Sequence, residues 1–367
     1  MKISIITLHK VFNYGSVFQA YATKLFFERL GHETEIIDYL PLRWQNKALF
    51  WEIPESRGFI RDSIYLVLRS VSVLIKKKTL WSFLKKYVVL TKTYKSFEEL
   101  NEKCPRADVY CTGSDQVWNS EYCGIDKAFY LRFTKGNTKK ISFAASIGKT
   151  QLPKAEVDSI KEYLSDYSFI TVRESSAVKL LKDMGIRSEL ILDPTLQIEK
   201  EHWISLASKR LIKDRYLILM LLYNEDNNAT EYARKIADEK GLKLVKISWE
   251  LKKPPHVDVL MTHRKPEEFI SLLYFADYVV TNSFHGLAFS INLNKQFSVI
   301  KRNEFNSRID SLLEITGLTE RMIDYDFDMR VVDKAIDYNK VNNILNEERI
   351  RTHKIIRENI DGKGSLS

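Results

Sequence analysis

Residues 278–293, Tyr-Val-Val-Thr-Asn-Ser-Phe-His-Gly-Leu-Ala-Phe-Ser-Ile-Asn-Leu, constrain the fold more than any other stretch of the chain. Tyr278 to Thr281 is a β-branched and aromatic run with the composition of a buried strand. Asn282 and Ser283 are capping residue types, and Leu287, Ile291 and Leu293 lie roughly on one helical face behind them. His285 and Gly286 therefore fall in a strand-to-helix turn, where open α/β sheets bind ligands. A helix N-terminus there favours anions, Gly286 admits a ligand close to the backbone, and a histidine exchanges protons near neutral pH. The plainer alternative is a capped helix with an incidental histidine. The position after a buried strand and before glycine favours an anion site with an acid/base attached.

The same punctuation recurs along the chain. Residues 3–8 read as a strand, and a helix with Phe18, Ala22, Phe26 and Leu30 on one face leads to a second strand at 34–39. The loop between them carries Asn13 and Gly15 but lacks GxGxxG, which weakens a dinucleotide reading. Further strands are expected at 107–112, 140–144, 170–172 and 190–192 in the first half. In the second half they fall at 216–222, 243–248, 257–260, 278–281 and 296–300. Strands alternating with helices in both halves predict an α/β fold of two doubly wound, Rossmann-like domains. The expected divisions are 1–196, with a basic helical insertion at about 41–100, then 197–335, and a C-terminal helix in 336–367 packing back across both.

Several strand ends carry reactive side chains. Ser114 and Asp115 follow the strand at 107–112, and Asp115 reads equally as a general base or as a loop-tightening Asx residue. Arg173 follows the strand at 170–172, either as a fork for a carboxylate or phosphate or as a partner of Glu174 and its neighbours. Both Arg173 and His285 follow strands at their carboxyl ends, so they are expected to face one cleft from opposite domains.

Composition narrows the class. Apolar content of 44% with 29% charged residues is that of an ordinary globular protein. Cys104, Cys111 and Cys123 fit neither a CxxC nor a zinc spacing and read as reduced thiols. No signal-like segment precedes the first strand and no apolar run reaches the ~18 residues of a membrane span, so a cytoplasmic location is expected. The net charge of +9 is uneven: residues 61–95 hold nine Lys/Arg against Asp62 alone, interleaved with apolar residues such as Leu74, Ile75 and Trp81. That mixture suits an anionic membrane surface, with a solvated helical face as the alternative. No nucleic-acid-binding pattern accompanies it, so nucleic acid is not an expected partner.

With these motifs in order, the sequence resembles the polysaccharide pyruvyl transferase family. The residues that carry the resemblance are Asn13-Tyr-Gly-Ser16, Gly113-Ser-Asp-Gln-Val-Trp-Asn119, Ser142-Phe-Ala-Ala-Ser-Ile-Gly148, Val172-Arg-Glu174, Asp193-Pro-Thr195 and Ser283-Phe-His-Gly286. The resemblance implies a glycosyltransferase-B-like pair of domains with the site between them. It implies transfer of a pyruvyl group from phosphoenolpyruvate to a sugar of an exopolysaccharide or capsule, or to its lipid-linked precursor, with formation of a ketal and release of phosphate. No further cofactor or metal is implied. Arg173 and His285 match residues associated with donor binding and acid/base work. Asn13, Gly15, Ser114, Ser283 and Gly286 belong to the matched motifs and Arg308 lies just beyond them; all six are candidate substrate contacts, and Asp115 is a candidate for activating a hydroxyl. Where members of the family often carry an arginine two residues before the histidine, this chain has Ser283, so one anion contact is either missing or supplied elsewhere, by Arg308 or Lys301. The alternatives are a nucleotide-sugar glycosyltransferase of the same architecture and a non-catalytic glycan-assembly protein.

Overall fold

The computed structural model describes residues 1–41, 59–222, 227–249, 252–302, 306–324 and 328–362; for 59–69 and 227 it describes the backbone only. The part of the expected insertion at 42–58 lies outside the described residues.

Two parallel sheets organise the chain. In the first, β1 (Lys2–Ile6), β2 (Glu33–Ile36), β3 (Val109–Thr112) and β4 (Lys139–Ser142) lie in the order β2-β1-β3-β4. Parallel bridges Ile141–Phe169 and Ala145–Val172 continue it to β5 (Thr171–Val172) and β6 (Glu189–Leu190). Bridges from Ile36 to Leu90 and from Tyr39 to Tyr94 add an extended segment on the opposite edge. The second sheet contains β7 (Tyr216–Met220), β8 (Lys243–Ser248), β9 (Val259–Thr262), β10 (Tyr278–Thr281), β11 (Gln296–Ile300) and β12 (Met322–Ile323). Its order is β12-β11-β10-β7-β8-β9, parallel throughout. Strands covered on both faces lose the alternating pattern, and β3 and β10 are buried at every position.

Each sheet reverses its winding once, between β1 and β3 and between β7 and β10. Neighbouring loops diverge at such a point and leave a crevice at the carboxyl edge. The loops at 7–16 and 113–119 border the first crevice, and residues 281–286 border the second. The two crevices face each other, since the ring of His285 lies against Gly15.

Below them the halves share a continuous apolar core, centred on Phe18 of the helix Tyr14–Arg29. Its ring lies 5.6 Å from Phe83, 5.5 Å from Trp203, 5.7 Å from Phe269 and 5.0 Å from Phe289. The helix Tyr338–Asp361 touches both halves: Arg349 donates to the Asn292 side chain and the Leu196 carbonyl, and Lys139 donates to the carbonyls of Asn359 and Ile360.

The basic segment forms one 29-residue helix, Phe59–Tyr87. Leu80, Phe83 and Leu84 are core residues, whereas Val71, Leu74 and Ile75 are exposed. The expectation of apolar side chains presented to a surface is thus corrected for Leu80, Phe83 and Leu84, which are consumed where the helix packs on the helices Tyr14–Arg29 and Pro266–Tyr274. Ile64, Leu66 and Leu68 fall where only the backbone is described. No helix among the described residues is long and apolar enough to cross a membrane.

Strand boundaries differ in detail. The strand expected at 257–260 runs at Val259–Thr262, because the Asp258 carboxylate takes the Leu244 N–H at 2.7 Å and delays regular pairing. The pair Met322–Ile323 is too short to show a period and was not anticipated.

Candidate active site

One wall of the cleft is built from strand ends of the first sheet around Arg173, whose side chain is fully buried. Its Nη1 donates to Asp193 Oδ2 at 2.7 Å and to Ser114 Oγ at 3.2 Å, and its Nη2 donates to Asp115 Oδ1 at 3.2 Å. Ser114 Oγ donates in turn to Asp193 Oδ2 at 3.1 Å. Asp115 has a left-handed backbone, φ 76°, and its Oδ1 also accepts the Gln116 N–H at 2.9 Å. Oδ2 of Asp115 has no hydrogen-bond partner among the described residues. Glu174 Oε1 ties down the neighbouring loop, accepting from Ser146 Oγ and from the N–H groups of Ile147 and Gly148.

The facing wall starts at β10. Ser283 caps the helix Phe284–Asn292, its Oγ accepting the Gly286 N–H at 3.4 Å. Phe284 then projects between two guanidinium groups, with Arg173 4.7 Å and Arg308 5.7 Å from its ring centre. The His285 ring lies 5.2 Å from the same ring, and its Nε2 is buried without a partner among the described residues. Arg308, in the helix Ser307–Thr316, is 7% exposed and makes no side-chain hydrogen bond or ion pair among the described residues. On the flanks the walls are joined by Tyr14 Oη donating to the Arg264 carbonyl at 2.7 Å and by Ser175 N–H donating to Ser311 Oγ at 2.9 Å.

The electrostatics of the two walls differ. Burial disfavours the Arg173 cation, but Asp193, Asp115 and Glu174 more than offset it and hold its pKa above the ordinary value. Burial likewise raises the Asp193 carboxyl, and Arg173 and His285 overcome that and keep it low. Arg308 has no such partner. Burial first and the Arg173 charge second push its pKa down to about 10, against the opposing pull of Asp115 and Glu174. Burial pushes His285 down to about 4, with Arg173 and Arg308 acting in the same sense and Asp193 and Asp115 against it. At neutral pH His285 is therefore an uncharged imidazole beside an uncompensated guanidinium. Such a site attracts anions, and a bound anion favours protonation of the imidazole.

The structure gathers the expected residues into this one region, but several do something other than expected. Asn13 Oδ1 accepts the Ser16 N–H at 2.6 Å, so its side chain is occupied as a helix cap. Gly15 makes room for the histidine: a Cβ there would lie 2.0 Å from His285 Nδ1. Gly286 is needed for packing on β10, because its Cβ would lie 2.4 Å from Thr281 Oγ1; the expected close approach of a ligand is not the reason for this glycine. Ser114 and Asp115 belong to the Arg173 network, and Arg173 spends its fork on carboxylates of its own wall. Of the two cations expected to replace the missing arginine, Lys301 is exposed and Arg308 is buried at the site. Asp193 and Phe284 were not anticipated as site residues, although both stand in quoted motifs, Asp-Pro-Thr and Ser-Phe-His-Gly. Among the described residues no group of three or more His, Cys, Asp or Glu side chains is placed to hold a metal ion.

A family model described as Polysaccharide pyruvyl transferase matches residues 13–304. No curated protein matches the chain at a significant level. Among solved structures, one described as a UDP-N-acetylglucosamine 2-epimerase from Listeria monocytogenes is 11% identical with a TM-score of 0.55, covering 100% of this chain and 98% of that one. A second UDP-N-acetylglucosamine 2-epimerase is 10% identical with a TM-score of 0.55, covering 100% and 97%. The enzyme of that name from Rickettsia bellii is 10% identical with a TM-score of 0.50, covering 99% and 100%. Identities this low show the fold alone, a glycosyltransferase-B-like pair of Rossmann-like units.

Proposed function

This chain belongs to the polysaccharide pyruvyl transferase family, and on that premise we propose that it moves a pyruvyl group from phosphoenolpyruvate to a sugar of a cell-surface polysaccharide or its lipid-linked precursor. The products are a pyruvate ketal and phosphate. Residues 1–196 and 197–335 are taken as the two domains that form the cleft.

The observation that carries this reading is Arg308, a buried cation with no anionic partner among the described residues, next to a neutral buried histidine. Phosphoenolpyruvate brings a carboxylate and a phosphate, and a charge-assisted contact to Arg308 would complete that wall. Burial first, and the two arginines after it, hold His285 neutral; the bound negative charge would offset both, so the imidazole takes up a proton as the donor binds. His285 then delivers that proton to the methylene carbon, which becomes the methyl group. A sugar hydroxyl adds to the adjacent carbon and gives its proton to Asp115 Oδ2. The bond to phosphate breaks with its electron pair leaving on the phosphate oxygen, and a second hydroxyl closes the ketal. Of the two hydroxyl protons, one replaces the proton used at the methylene carbon and the other leaves on phosphate. Arg173 holds Asp115 and Asp193 in place. No cofactor beyond the donor enters this scheme.

The test is phosphate release from phosphoenolpyruvate against a panel of lipid-linked sugars. Release should require both substrates, and His285→Gln should slow it by about 10²–10⁴-fold. Saturation by a nucleotide sugar with indifference to phosphoenolpyruvate would favour glycosyl transfer. Acceptor binding without turnover would favour a non-catalytic assembly protein.

We also propose that the helix Phe59–Tyr87 rests on the cytoplasmic face of an anionic membrane. Exposed Val71, Leu74 and Ile75 and exposed Lys78, Lys85 and Lys86 support this. Each cation near the leaflet is worth about 1 kcal/mol, so binding should weaken with salt. Unchanged sedimentation with anionic vesicles after replacing those three lysines by Gln would contradict it.

A further inference from the structure

Lys76 is a second cation in this region without an acidic partner among the described residues. It lies on the helix Phe59–Tyr87, half-buried, with its ammonium 4.4 Å from the Trp249 ring centre and 6.0 Å from that of Phe12. Burial pushes its pKa down to about 7. Trp249 stacks on Tyr14 at 5.0 Å, and the next residue, Gly15, lies against His285. Lys76 is thus two stacked rings from the residue next to Gly15, which the acid/base position touches.

Its surroundings repeat the pattern. Lys10 and Lys77 hold their ammonium groups 4.7 and 4.3 Å from the Trp81 ring centre, and Trp81 Nε1 is buried without a partner among the described residues. Lys10 is neutralised by Asp38 at 2.6 Å; Lys76 and Lys77 have no ion pair among the described residues. An indole face steadies a cation without consuming its N–H donors. Ammonium groups held in that way stay available to an anion, whereas a salt bridge would occupy them. A neutral sugar gives no use for such cations, but a sugar esterified to diphosphate does.

Resting on the reading above, we propose that Lys76 and Lys77, positioned by Trp249 and Trp81, form an acceptor subsite for the diphosphate that links the acceptor sugar to its carrier. The donor anion occupies Arg308 and the acceptor anion occupies Lys76.

The experiment is calorimetric titration of the full chain with inorganic pyrophosphate, and separately with phosphoenolpyruvate. Lys76→Gln should weaken pyrophosphate at least tenfold and leave phosphoenolpyruvate unchanged, and Lys76→Arg should recover most of the loss. Melting temperature checks that each variant is folded. Unchanged pyrophosphate affinity in Lys76→Gln, or an equal loss for phosphoenolpyruvate, would overturn the subsite. If wild type fails to bind phosphoenolpyruvate but shows the Lys76-dependent pyrophosphate site, the donor reading fails and the subsite stands. Competition against pyrophosphate by a prenyl diphosphate-linked or a uridine diphosphate-linked N-acetylhexosamine identifies the carrier; competition by neither contradicts the proposal.

Discussion

Arg173 and Arg308 flank the same phenylalanine ring from opposite walls of the cleft, and they are in opposite electrostatic states. Arg173 faces Asp193, Asp115 and Glu174 and is closed by hydrogen bonds. Arg308 is as deeply placed, with Nε unpartnered and no carboxylate in contact among the described residues. A fold has an evident use for the first arrangement, since one guanidinium joins the ends of β3, β5 and β6. It has none for the second, because a buried unpaired charge costs stability unless something compensates it. On the proposed function, the difference assigns Arg173 to architecture and Arg308 to a ligand, the reverse of the weight that the Val-Arg-Glu motif alone would give.

The comparison breaks most visibly at Arg173. Arg173→Met leaves buried carboxylates uncompensated and should cost about 3–5 kcal/mol in urea unfolding. A small loss of stability with a large loss of donor affinity would mean that Arg173 is a binding residue after all. The next largest effect concerns acid. His285 has a folded-state pKa below its unfolded value, so its burial costs nothing above pH ~6.5 and removes stability as pH falls from ~6.5 to about 4. The slope should be about 1.4 kcal/mol per pH unit, should be lost in His285→Gln, and should therefore appear in the difference between wild type and that variant. Asp193, held low, contributes in the other direction: its stabilisation is present above the unfolded carboxylate value and fades only at lower pH, so the two windows separate. A flat difference curve would mean that His285 is more solvated than its surroundings indicate.

Gly15 tests whether the walls need to touch. Gly15→Ala should cost about 1–3 kcal/mol by overpacking against the His285 ring and should lower turnover more than donor affinity. The smallest effect is expected from Arg308→Met. Removing an unpaired buried charge should raise stability by about 1 kcal/mol, the opposite sign from Arg173→Met. A matching loss of stability at both arginines would erase the distinction between the walls.

The architecture was legible because each unit is short and punctuated. The strands at Lys243–Ser248, Tyr278–Thr281 and Gln296–Ile300 match the expected ranges to the residue, since each begins and ends at polar or turn-forming neighbours. His285, Arg173, Asp115 and Arg308 were legible as residues of one region because all follow or flank strand ends. Their roles were less so. Whether an arginine is paired depends on carboxylates that arrive from other strands, and Asp193 lies 20 residues from Arg173 and Asp115 lies 58 away. Nothing in Gly286 or Gly15 distinguishes a glycine that admits a ligand from one that admits a neighbouring side chain. That distinction belongs to the packing of β10 and of the facing wall.

The central claim is that Arg308, and not Arg173, is the cation reserved for the donor, and titration of phosphoenolpyruvate into wild type and Arg308→Met tests it most directly. Run in two buffers of different ionisation enthalpy, it should show proton uptake by His285 on binding to wild type. The account predicts that Arg308→Met loses about ten- to a hundredfold in affinity, the worth of a charge-assisted contact, while melting no lower than wild type. Binding of phosphoenolpyruvate to Arg308→Met at wild-type affinity would contradict it.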